Sequence, residues 1–149
     1  MSTTYEKVTD QLEEILEKNV DAEKGYKKAA ENATDLNLKN FFERKAKDRG
    51  KFNAELRREL SSNYEEIDED GSFAGTVHRS WMDVKAFFSG DNDEAMLEEA
   101  IKGDKAAVEE YEEVLEDSTL PQSLATLVRN QLISIRTDLN NVRRLEDLK

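Results

Sequence analysis

Apolar residues in this chain recur every three or four positions along four long stretches and nowhere alternate with polar ones. Such a chain can bury them only as helices packed on helices. The first stretch, from Thr4 to Ala33, places Val8, Leu12, Ile15, Leu16, Asn19, Glu23, Tyr26 and Ala30 on one stripe. Thr3 and Glu6 offer it a capping box. The second, from Leu36 to Leu60, carries Leu38, Phe41, Phe42, Lys45, Asp48, Arg49, Phe52, Leu56 and Leu60. The third begins near Asp93, a suitable N-cap, and runs to Asp117 with Leu97, Ala100, Ile101, Ala107, Val108, Tyr111 and Leu115. The fourth reaches Leu148 through Leu124, Leu127, Val128, Gln131, Leu132, Ile135, Asp138, Leu139, Val142 and Leu145.

The breaks between stripes set the topology. NATDLN, after the first stripe, is a turn so short that its two helices must be antiparallel neighbours. DSTLPQS does the same before the fourth, with Pro121 suited to a first helical turn. Residues 61–93 instead form a long crossover, where Phe73, Val77, Trp81, Val84 and Phe88 mark one face of a short helix. The expected fold is all-α and one domain over residues 1–149: two antiparallel hairpins joined by a crossover, the layout of a ferritin-like four-helix bundle. A chain of this size can bury enough surface for one core without staples, and with no cysteine it has none.

Charge limits the partners. The formal net charge of -12 repels phosphate backbones and anionic lipid surfaces, so neither nucleic acid nor membrane is expected. No apolar run approaches the length of a bilayer span, and the N-terminal residues resemble no secretory signal. A cytoplasmic protein is the expectation, with a homodimer formed along helix faces as a further one.

Each stripe contains a carboxylate where apolar side chains are due: Glu23, Asp48, Asp104 and Asp138. All four lie well inside their helices, so antiparallel packing brings them towards one level. A buried carboxylate must be neutralised by a cation or take up a proton. Metal-binding bundles do this with Glu from two helices and Glu-x-x-His from two others. Here DRGK puts Lys51 at one histidine register, SIRT puts Thr137 at the other, and the only histidine, His78, lies in the crossover. A lysine there supplies positive charge in place of an ion. Three interior glycines, Gly25, Gly50 and Gly103, sit within two residues of these acids, which suggests close approach or a distorted turn.

The run EDGSFAGTVHRSWMDVKAFFSG, followed by LEEAIKGDKAAVEEYEEVL, resembles the uncharacterised bacterial four-helix-bundle proteins of the ferritin-like superfamily, a domain-of-unknown-function family. EKGYKKAAE, beside Glu23, is similar to that family's first helix. The resemblance implies a ferritin-like fold and brings no assigned activity. The wider superfamily implies iron or manganese held by Glu23, Asp48, Asp104 and Asp138.

Three readings follow. The acids form a polar layer or edge paired with Lys45, Arg49, Lys51 or Arg136 in a non-enzymatic protein of structural, stress-related or interaction role, its di-metal site degenerate. Alternatively, they hold iron or manganese in a di-metal carboxylate centre that acts in metal binding or oxidation. In the third, the bundle holds a small apolar molecule. Tyr26 and Tyr111 read as core aromatics, His78 as a locally bonded residue, and Trp81 with Phe88 as a covering or docking face. DEDGS lacks the ligand series of a calcium loop.

Overall fold

The computed structural model describes residues 4–63, 93–116 and 120–148. Among them are four long α-helices and no strand: α1 (Thr4–Asn32), α2 (Leu36–Asn63), α3 (Asp93–Leu115) and α4 (Gln122–Asn141), with a 3-10 turn at Leu145–Leu148. The short crossover helix, with His78, Trp81 and Phe88, lies outside the described residues, as does the Thr3 cap.

Helix α1 packs on α2 and α3, and α4 packs on α2 and α3, the arrangement of a four-helix bundle. The tight turn at 33–35 is held from two sides. The Asp35 carboxylate accepts the Leu38 N–H at 3.0 Å, capping α2. The Asp93 carboxylate, at the start of α3, accepts the backbone N–H of Thr34 at 2.9 Å, the Thr34 hydroxyl at 2.9 Å and the Asp35 N–H at 2.7 Å. Asp93 thus ties the first hairpin to the third helix.

The fourth helix is shorter than its stripe implies. It ends at Asn141, and Val142 is extended (φ -125, ψ 100). The Asp147 carboxylate accepts the N–H groups of Arg143 at 2.8 Å and Arg144 at 3.2 Å, so the broken end keeps its hydrogen bonds. Val142 still reaches the core.

The apolar core is split in two. One part holds Leu12, Leu16, Leu56, Leu60, Val114, Leu124 and Val128. The other holds Ala22, Ala29, Leu38, Phe42, Leu97 and Val142. On every helix the crossing from one part to the other passes a polar residue: Asn19 between Leu16 and Ala22, Lys45 and Arg49 between Phe42 and Phe52, Asp104 between Ala100 and Ala107, and Asp138 between Ile135 and Val142. Helical periodicity and antiparallel packing therefore produce a charged layer across the middle of the bundle.

Candidate functional site: a buried ion-pair centre

Asp104 is the hub of this layer. Its Oδ1 accepts a hydrogen bond from Arg49 at 2.6 Å, and its Oδ2 accepts one from Lys45 at 2.6 Å. The Tyr26 hydroxyl donates to the same carboxylate. Lys45 continues to Asp138 at 3.0 Å, and its ammonium lies 5.5 Å from the centre of the Tyr26 ring. The other arm of Arg49 reaches the Asn19 carbonyl at 2.5 Å. From Asn19 the network runs to the Tyr111 hydroxyl at 2.8 Å, on to the Gln131 carbonyl at 2.7 Å, and back to the Phe52 carbonyl at 3.3 Å. All four helices contribute.

The charges cancel inside. Lys45 and Arg49 face Asp104 and Asp138, with Arg44 at the rim bonded to Asp138 and Asp48, each at 2.9 Å. Burial works against the Arg49 charge, yet Asp104 outweighs it and raises the guanidinium above its usual range. Burial also opposes ionisation of Asp138, but Lys45 and Arg44 hold its carboxyl below the ordinary carboxylate value. Burial pushes the Tyr111 hydroxyl up to about 12, and burial with the Asp104 charge raises Tyr26 well above its usual value.

The four acids singled out from sequence do not share one environment. Asp104 is fully interior and Asp138 stands at the edge of the layer. Asp48, with a side chain 34% exposed, bonds to Arg44 one turn earlier. Glu23, 28% exposed, pairs with Lys27 at 3.2 Å and accepts from Asn53 at 3.4 Å. Lys51 is exposed, so the cations at the centre are Lys45 and Arg49 instead. Thr137 is also exposed and donates its hydroxyl to the Ile133 carbonyl at 2.8 Å.

The reason lies in the phase of α2. Counting heptads from half-buried Phe41 selects Asp48; counting from Phe42, which is fully buried, selects Arg49 and Leu56. Glu23 falls one position past the buried Ala22 and so turns towards α2. There it crosses Gly50, where a Cβ would meet its Oε2 at 2.8 Å. The close approach at Gly50 is thus a side chain over a helix, and α1, α2 and α3 run unbroken through Gly25, Gly50 and Gly103.

Among the described residues the donor set does not suit iron or manganese: both Asp104 oxygens already accept from protein cations, and none of the donors there is an imidazole. Among the described residues no group of three or more His, Cys, Asp or Glu side chains is arranged to hold a metal.

Among the described residues, the fold and its centre define a bundle of four long helices, its core divided by a self-neutralised layer of charge. Residues 7–117 match the family described as Domain of unknown function (DUF2383), and the chain belongs to that family. None of the curated proteins matches it. The match takes in Asn19, Lys45, Arg49, Asp104 and Tyr111 and ends before α4. Among the described residues no helix is long and apolar enough to cross a membrane.

Proposed function

We propose that this protein is a non-enzymatic, ferritin-like helical bundle with a structural, stress-related or interaction role, in which Lys45 and Arg49 have taken over the place of a di-metal centre. The observation that carries this reading is the occupation of both Asp104 oxygens by those two cations, each at 2.6 Å. A carboxylate held in this way has no oxygen pointing at an open position, so it is poorly placed to bind an ion or move a proton. The long crossover expected at 61–93, together with acids on separate helices, supports the ferritin-like ancestry.

Elemental analysis of protein purified without a metal-affinity step tests it. No stoichiometric iron or manganese is expected. Stoichiometric metal that disappears in both Glu23→Ala and Asp104→Ala would establish the di-metal reading instead.

A further inference from the structure

Between α1 and α2, on the side away from the charged layer's centre, lies a groove of about 500 Å³. Its floor is set back because Ala30 and Ala46 are small and buried. One wall carries Glu23, Lys27 and Glu31, spaced four residues apart on α1; the other carries Lys39, Glu43 and Lys47, spaced the same way on α2. Four-residue spacing keeps each set on one face of its helix. The two helices are antiparallel across the turn at 33–35, so the walls meet in the order Glu31 by Lys39, Lys27 by Glu43, and Glu23 by Lys47. Every level of the groove therefore has opposite charges on its two walls.

That pattern is its own complement in one orientation. A two-fold axis along the groove lays the α1 wall of one copy on the α2 wall of another without shifting level. Each of the three pairings then forms twice, giving six contacts between opposite charges. An axis across the groove would instead set Lys27 on Lys27 and Glu43 on Glu43, which charge forbids. We propose that the chain forms a homodimer through this groove, with the two-fold axis running along it. A dimer made by exposed charges over a floor of alanines is weak and sensitive to salt, because such pairs are screened within a Debye length of about 10 Å or less.

Sedimentation analysis of the full chain tests the proposal. The dimer is expected at low salt, with its dissociation constant rising about tenfold or more as salt approaches about 1 M. Lys27→Glu and Glu43→Lys each place like charges against the second copy, and each is expected to weaken the dimer about tenfold or more. The two substitutions together restore opposite charges across the two-fold and should return the constant to within about threefold of the original. Circular dichroism of each variant controls for folding. A monomer at low salt overturns the proposal. So does a dimer indifferent to both single reversals, or a double variant no better than either one.

Discussion

Arg49 and Asp104, on α2 and α3, meet across the bundle interior at 2.6 Å with side chains 1% and 4% exposed. An ion pair so deep gains little over an apolar pair of the same shape, yet losing one member strands the other. Asp104→Leu strands Arg49 and takes from Lys45 its 2.6 Å partner, leaving that ammonium only Asp138 at 3.0 Å. The expected result is a loss of about 3–5 kcal/mol in urea unfolding, with an unchanged slope if the bundle still folds as one unit. A gain in stability would mean that the layer is a burden on the fold retained for another use.

Much of this centre can be read from the residues in order. The stripes give the four helices because a period near 3.6 has no other way to be buried, and Asn19, Lys45, Arg49, Asp104, Gln131 and Asp138 all stand on them. What the stripes leave open is phase to within one residue. A side chain turns by about 100° per position, so a shift from Phe42 to Phe41 exchanges buried Arg49 for the rim residue Asp48. The pairing of particular acids with particular bases depends on levels across helices, which periodicity within one helix does not contain. The end of α4 at Asn141 is hidden for a related reason: the apolar stripe continues through Val142 and Leu145, while the backbone leaves the helix at Val142 and the Asp147 carboxylate takes up the N–H groups of Arg143 and Arg144.

Tyr111 supplies a test at high pH. Its hydroxyl accepts from Asn19 and donates to Gln131, and burial raises its ionisation to about 12. A raised folded-state value stabilises the protein fully below the unfolded tyrosine value of about 10 and is lost as pH climbs towards 12. In an absorbance titration of the native chain, Tyr111 and Tyr26 should ionise late, coupled to unfolding. Tyr111→Phe is expected to remove part of the late step. An early step of the full tyrosine amplitude, with the helices intact, would contradict the buried network.

Asp93 makes the complementary case at low pH. Burial slightly disfavours its charge, but the N–H groups of Thr34 and Asp35 and the Thr34 hydroxyl hold its carboxyl below the usual value. A depressed folded-state value contributes stability above the unfolded value of about 4, and that contribution fades as pH falls through the folded one. Asp93→Asn is therefore expected to cost about 1 kcal/mol near neutrality and less at pH ~3, below the unfolded value. An equal cost at both pH values would show that shape, and not charge, joins the first turn to α3.

Gly50 sets helix propensity against a single contact. An interior glycine costs about 1 kcal/mol relative to alanine. Its replacement by alanine brings a Cβ to 2.8 Å from Glu23 Oε2, the free end of a flexible and partly exposed side chain. Moving that end gives up a hydrogen bond from Asn53 that is already long at 3.4 Å, and the exposed pair with Lys27 is worth little. Propensity wins, and Gly50→Ala should raise stability by about 0.5 kcal/mol, seen as a melting temperature higher by about 1–2 °C. If the variant melts lower instead, the Glu23 side chain is anchored over α2 more firmly than its exposure implies, and Gly50→Ala should then cost less in a Glu23→Ala background, where the carboxylate atoms nearest the new Cβ are gone.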